Sequence, residues 1–391
     1  MSFWATPWRA RDRRQDRDDY YEVQRITDGF IRACEGAGLV RTVDTVTGPT
    51  VIPPKLTHIT LGPPTVLVAQ LQPGQTVEDV RAAAPRLAPH LGAVGLRVEP
   101  RGVGDWVVLT LLQADPLADT VPLPSGPITG PLLLGWDENG RETTTTDPLP
   151  HLCAAGSTGS GKSSFAYSLL AQVAERAKAG EPVKISGVDP SGVLLRPFLE
   201  WQPTGPPRGS VSSGHLPGVV LGLSDPAAIE RKMTELVGEM DRRIKAIPRD
   251  RDRLPVSPAH PWHLVVLEEF PGLLKALEAI DKKAATSVRA SVSRLLAESR
   301  KAGFSVFLLA QRPEAQIIGG AERAQLGLRL SFRLDGLESV KLLHPEVDPA
   351  LAAQHCTAAP GVAILSATGR PAQRIRTPWI EYGEYIERVS A

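Results

Sequence analysis

The sequence predicts an α/β fold with a mostly parallel sheet, preceded by a small α/β domain. Three observations predict it. From about residue 150 on, short apolar runs alternate with amphipathic stretches. A glycine-rich segment, Gly156–Ser163, lies between one such run and one such stretch. Several runs are apolar almost throughout, as strands covered on both faces must be.

The elements follow in chain order. Residues 1–19 interleave Arg9, Arg11, Arg13, Arg14 and Arg17 with Asp12, Asp16, Asp18 and Asp19. A solvated helical arm fits this run. A contact to DNA or a membrane surface is the sharper reading, which the interleaved acids weaken. Residues 1–47 are therefore set apart as an N-terminal arm or helix. In residues 48–120, Val66–Leu71, Gly95–Pro100 and Val107–Leu112 read as strands, and Glu78–Leu91 as a helix. The Pro/Gly-rich stretch Pro116–Pro131 puts the boundary near residue 120, leaving 121–391 as the larger domain. Leu132–Gly135 followed by Asp137, Asn139 and Gly140 resembles a hairpin.

In the larger domain the expected strands are Leu152–Ala155, Val183–Val188, Leu264–Leu267, Phe304–Ala310, Arg329–Leu334 and Val362–Leu365. Asp225 can cap a helix with Pro226 at its first position. Ile229, Met233, Leu236, Met240, Ile244 and Ile247 then share one face, and Pro248 ends it. Val288, Val292 and Leu295 mark another helix before Gly303. Trp201–Gly218 and Pro248–Pro261 read as loops.

Whole-chain properties narrow the function classes. A length of 391 residues suits two domains of roughly 100–200 residues each. With 42% hydrophobic and 22% charged residues, a sizeable core is expected. No apolar run reaches about 18 residues, and the N-terminus lacks a signal-type apolar stretch, so a cytoplasmic protein is expected. Cys34, Cys153 and Cys356 are far apart with no CxxC, so reduced thiols are expected rather than disulfides or zinc. The net charge is +1, so any nucleic-acid contact must be local, such as a groove or pore.

Gly156, Ser157, Thr158, Gly159, Ser160, Gly161, Lys162 and Ser163 match GxxxxGK[ST]. Glycines let the backbone wrap closely around a phosphate. Lys162 neutralises the β- and γ-phosphates, and the Ser163 hydroxyl coordinates Mg²⁺. The following helix, opening at Ser164 and Phe165, offers its positive end. The strand before and the helix after are the context this motif requires, so these residues, with Ser164, are the expected ATP-binding set.

Hydrolysis further needs a Mg²⁺ partner and a group that orients or deprotonates water. The run His263–Leu267 ends in Glu268 and Glu269. Neighbouring side chains on a strand point to opposite sides. Glu268 is assigned to the metal and Glu269 to the attacking water; two solvated glutamates at a strand end are the plain alternative. Phe304–Ala310 ends in Gln311, whose amide can meet the γ-phosphate or its water and report nucleotide state, or simply cap a loop.

These residues resemble the FtsK/SpoIIIE family of DNA translocases over about residues 48–370. The family's P-H-L-L-V-A-G-x-T-G-S-G-K-S is similar to the segment from Pro150 to Ser163. Its L-x-x-G-x-D-x-x-G is similar to Leu134–Gly140, and its E-M-x-x-R to Glu239–Arg243. Its G-R-A-A-G-I-H, leading to A-T-Q-R-P, is similar to Ser299–Gly303 leading to Ala310–Pro313. Four features depart from the family. Glu268 stands where it usually has Asp, and Ser191 where it has Lys in D-P-K. Its membrane segment and its DNA-reading winged helix are not found.

The resemblance implies a RecA-like P-loop ATPase domain beside the smaller one. It implies an ATP-driven, Mg²⁺-dependent, hexameric ring that pumps double-stranded DNA, largely without sequence preference, in conjugative transfer of a plasmid or integrative element or in chromosome segregation. A partner would supply membrane attachment or DNA specificity. An arginine from the neighbouring subunit would act on the transferred phosphoryl group, with Arg300 and Arg329 as candidates. Two other readings stay open: a type VII-like protein-export ATPase, and a nucleotide-binding assembly or switch subunit with weak hydrolysis.

Overall fold

The computed structural model describes residues 13–46, 48–102, 104–126, 130–146, 148–199, 218–314 and 319–390. Arg9, Arg11 and Asp12, and residues 201–217 of the expected loop, lie outside the described residues. The chain divides into two compact units, Met1–Pro116 and Leu117–Ala391.

The first unit contains α1 (Arg13–Gly36), β1 (Arg41–Thr45), β2 (Gly48–Ile52), β3 (Lys55–Thr60), β4 (Val66–Gln70), α2 (Val77–Leu87), β5 (Gly95–Pro100) and β6 (Trp106–Leu112). The strands β3-β4-β6-β5 form an antiparallel sheet, and β1 pairs with β2 as a hairpin. Helix α2 starts in a capping box. Thr76 Oγ1 accepts from Asp79 N–H, and Asp79 accepts from Thr76 N–H at 2.7 Å. Helix α1 is not a free arm. Ile26, Phe30, Ala33 and Cys34 fall at i, i+4, i+7 and i+8 and are buried in this unit's core with Leu67, Val80, Leu87 and Leu109. The charged run precedes that stripe.

The second unit holds a ten-stranded sheet. Its strands are β7 (Leu133–Asp137), β8 (Glu142–Thr144), β9 (Leu152–Ala155), β10 (Val183–Asp189), β11 (Val219–Leu221), β12 (Trp262–Leu267), β13 (Phe304–Ala310), β14 (Leu328–Ser331), β15 (Val362–Ala367) and β16 (Gln373–Arg376). The order is β11-β10-β12-β13-β9-β14-β15-β16-β7-β8. It is parallel from β11 through β14. From β14 to β8 the pairing is antiparallel, so β15 joins the sheet by reversal rather than crossover. The expected strand Arg329–Leu334 starts one residue earlier and ends at Ser331.

The helices are α3 (Lys162–Lys178), α4 (Pro226–Lys245), α5 (Phe270–Ile280), α6 (Lys282–Glu298), α7 (Gly320–Gln325), α8 (Leu337–Leu343), α9 (Pro349–His355) and α10 (Tyr382–Ser390). Alternation along the strands builds two cores. Leu264, Val266, Phe307 and Leu309 face Phe165 and Leu169 of α3 and Tyr385 of α10. Val265, Leu267, Val306 and Leu308 face α4, α5 and α6. Both faces are covered, which is why the central runs are apolar throughout.

Helix α4 carries the expected signals. Asp225 accepts from Ala228 N–H at 2.9 Å, Pro226 opens the helix, and Ile229, Met233, Leu236 and Met240 are buried. Glu239 and Arg243 pair at 2.8 Å. Arg243 also donates to Pro261 O at 2.7 Å and lies over the Phe304 ring at 4.9 Å, so this pair ties α4 to the start of β13. Among the described residues no helix is long and apolar enough to cross a membrane.

Candidate nucleotide-binding site

The segment after β9 cannot be built from ordinary residues. Gly161 sits at φ 102°, and a Cβ there would collide with the Gly361 backbone. The loop is pinned on both sides. Gly156 N–H donates to Ala310 O at 3.1 Å, and Ser157 N–H to Arg333 O at 3.0 Å. Gly361 N–H donates to Ser160 O at 2.8 Å. Lys162, Ser163 and Ser164 are the first residues of α3, where backbone N–H groups have no partner within the helix.

This loop borders a cleft of about 460 Å³. Gly156 to Ser164 line it, together with Glu268, Gln311, Pro360, Gly361 and Thr120. Arg376, Thr377, Pro378 and Trp379 complete the wall. The two expected acids follow β12 at once. Glu268 lines the cleft, as does Ser163. Burial, then the Asp189 carboxylate, push the Glu268 carboxyl up to about 7, against the pull of Lys162. Asp189 itself is buried and spent on its own turn, accepting from Ser191 Oγ at 2.6 Å and from Gly192 and Leu195 N–H at 2.9 Å.

Glu269 does not continue the strand. Its φ is 45°, a left-handed conformation, and it is the N-cap of α5. This turn brings its carboxylate back toward the loop. Oε2 lies 3.1 Å from Lys162 Nζ, and Oε1 accepts from Gln311 N–H at 3.1 Å. Alternation along a strand therefore does not separate the two acids, because the strand has ended at Leu267. Gln311 contributes its backbone N–H here, and the residue borders the cleft. Holding a non-glycine residue in this conformation costs about 1–2 kcal/mol, a load that recurs at functional sites.

Ser164 lines the cleft and also has a structural partner. Its hydroxyl accepts from Ile380 N–H at 3.0 Å, so it fastens the 377–380 segment to α3. The candidate arginines do not reach this cleft. Arg300 is exposed on a 3₁₀ turn at Ser299–Ala302, before the start of β13, whereas the phosphate loop follows the end of the parallel β9. Arg329 sits on β14 opposite Cys153, half-buried, with its Nε lacking a hydrogen-bond partner among the described residues.

The donor set suits Mg²⁺. A serine hydroxyl and one carboxylate share a cleft with a phosphate loop, and Mg²⁺ is commonly held by one or two protein oxygens plus substrate phosphates. No cluster of three or more His, Cys, Asp and Glu able to hold a metal occurs among the described residues, so substrate oxygens would have to complete the shell.

Thr120, Pro360, Gly361 and residues 376–379 were not legible as site residues. They come from both ends of the second unit and carry no motif of their own. Arg376 is held by the protein: its guanidinium donates to Pro360 O at 2.6 Å, Ala118 O at 3.2 Å and Thr120 Oγ1 at 2.9 Å.

Comparison with known proteins places this architecture. Residues 124–254 match the model of the FtsK/SpoIIIE family. The chain is 25% identical over 321 residues to the DNA translocase FtsK of Tropheryma whipplei, covering 77% of this chain and 38% of that protein. It is 27% identical over 326 residues to the DNA translocase FtsK of Sporosarcina ureae, covering 74% and 39%. The chain thus spans under two fifths of the length of these relatives. Among solved structures it resembles the pCW3 conjugation coupling protein TcpA, in its monomer form with ATPγS. The TM-score is 0.54 at 17% identity, over 93% of this chain and 99% of that one. That likeness is one of fold, and the fold is that of a P-loop ATPase.

Proposed function

We propose, from the premise that an FtsK/SpoIIIE-family segment here forms part of a P-loop ATPase fold, that this protein hydrolyses ATP to drive double-stranded DNA through a ring of six copies. The observation that carries the hydrolysis is the placement of Glu269, which touches both the phosphate-loop lysine and the end of β13. Binding alone does not call for that third group; hydrolysis does.

In this reading Gly156–Ser163 and the start of α3 hold the triphosphate, and Lys162 meets its β- and γ-oxygens. Ser163 and Glu268 would hold Mg²⁺, which when bound neutralises charge on the β- and γ-phosphates. Glu269 orients the attacking water and takes its proton. Gln311, at the end of β13, senses the γ-phosphate. Arg300 and Arg329 are the candidates for action in a neighbour's cleft. Both lie away from their own, as a residue acting in trans must. The name of the relatives, DNA translocase, favours DNA as the load, and conjugative transfer or chromosome segregation are the processes such a pump would serve. Duplex DNA would be gripped mainly through its phosphates, without sequence preference.

The test is steady-state ATPase rate with and without linear duplex DNA, with Lys162→Ala and Glu269→Gln alongside. Strong stimulation that both variants abolish is expected. Hydrolysis indifferent to DNA would remove the translocase reading. Binding with no hydrolysis under any condition would leave a nucleotide switch.

A further inference from the structure

Trp379 borders the same cleft as the phosphate loop and keeps 43% of its surface exposed. Its backbone is held rigidly. Trp379 N–H donates to Val121 O at 2.8 Å, and its carbonyl accepts from Leu123 N–H at 2.8 Å. On its flanks, Thr377 N–H donates to Gly361 O at 2.9 Å, and Ile380 N–H donates to Ser164 Oγ at 3.0 Å. So a strap fastened at four points presents a large apolar ring to open space. Its last fastening is on the helix that follows the phosphate loop.

A triphosphate needs donors and cations, and it has no use for an indole. A nucleobase has a flat π-face and does. The cleft volume falls within the range of whole-ligand pockets. Arg376 does not compete for the space, because its guanidinium is taken up by Pro360, Ala118 and Thr120.

We propose that Trp379 is the platform on which the base of the bound nucleotide stacks, so that this strap favours nucleoside triphosphates over bare polyphosphate. The inference rests on the phosphate-loop reading of the same cleft. It adds the group that recognises the other end of the ligand.

The experiment is calorimetric titration of the full chain with MgATP, MgCTP and inorganic tripolyphosphate, for wild type, Trp379→Ala and Trp379→Phe. Trp379→Ala is expected to weaken ATP binding about tenfold and leave tripolyphosphate binding unchanged. Trp379→Phe keeps most of the ATP affinity, and the loss in Trp379→Ala extends to CTP. Because the chain has seven tryptophans, the optical check is a difference. ATP should quench part of the tryptophan emission in wild type, and Trp379→Phe should lack that part. Unchanged ATP affinity in Trp379→Ala would overturn the proposal. So would equal losses for ATP and tripolyphosphate, since the strap would then be structural only. If wild type binds neither ATP nor tripolyphosphate, the phosphate-loop reading falls and takes this one with it.

Discussion

Glu269 holds Lys162 through an ion pair of 3.1 Å, and the same carboxylate receives the Gln311 N–H. The end of β12, the phosphate loop and the end of β13 are thus joined at one side chain. In the proposed reading, engagement of Lys162 by a triphosphate would change one arm of this contact and leave the other at the end of β13.

Glu269→Gln keeps the size and the acceptor oxygen but removes the charge and the basicity. Turnover is expected to fall by about 10²–10⁴-fold, the range for loss of a positioned base. ATP affinity should stay within a few-fold of wild type. Phosphate release and calorimetric binding, measured on the same preparation, check the pair. Equal losses in both would mean that Glu269 only braces the loop.

Glu268 faces the cleft with Ser163. Glu268→Ala is expected to raise the Mg²⁺ concentration for half-maximal ATPase by about tenfold or more. Binding of metal-free ATP should be unchanged or tighter, because a carboxylate is gone. A Mg²⁺ titration of the ATPase rate reads this directly.

Gly161→Ala tests the loop geometry. The added Cβ meets the Gly361 backbone at a positive φ. Left-handed strain and the forced shift together should cost roughly 2–5 kcal/mol. The melting temperature should fall, and ATP should no longer raise it. Gly159→Ala is the milder control, since its Cβ would meet nothing within 4 Å and only the φ of 72° is strained.

Four buried histidines set an acid limit, and burial first holds one of them, His263, well below its ordinary pKa. Burial first, then nearby charge, lowers His151 to about 4 and His344 to about 3; burial lowers His355 to about 4. His344 sits between Ser366 Oγ at 2.6 Å and Ser331 Oγ at 2.9 Å, and His151 Nδ1 accepts from Val306 N–H at 3.0 Å. The folded state keeps these rings neutral, while the unfolded chain protonates near pH 6.5, so it binds more protons below that pH. Stability is therefore full above pH 6.5 and is lost as the pH falls toward 4. At pH 5 each ring costs roughly 2 kcal/mol. The melting temperature should drop by more than about 10 °C between pH 7.5 and 5.

The central sheet was legible because its physics is local. Leu152–Ala155 and Phe304–Ala310 are apolar on both faces, and their bounds match β9 and β13 to the residue. The Asp225-Pro226 start of α4 was equally plain. Segments whose place is set by distant contacts were not. Strand β16 pairs with β15 and β7, and no pattern within Gln373–Arg376 shows that. The GxxxxGK[ST] half of the site could be read from spacing. Trp379 could not, because only the fold carries it to the phosphate loop. Glu269 was found but its geometry was not, since the left-handed turn after Leu267 breaks the alternation that a strand would impose.

The cleft is walled by Thr120 from the start of the second unit and by residues 376–379 from its end. A chain emerging from the ribosome therefore exposes the whole phosphate loop more than 200 residues before the wall that closes over it. During synthesis the loop therefore stays unwalled on that side, and the cleft is complete only once residues 376–379 have followed.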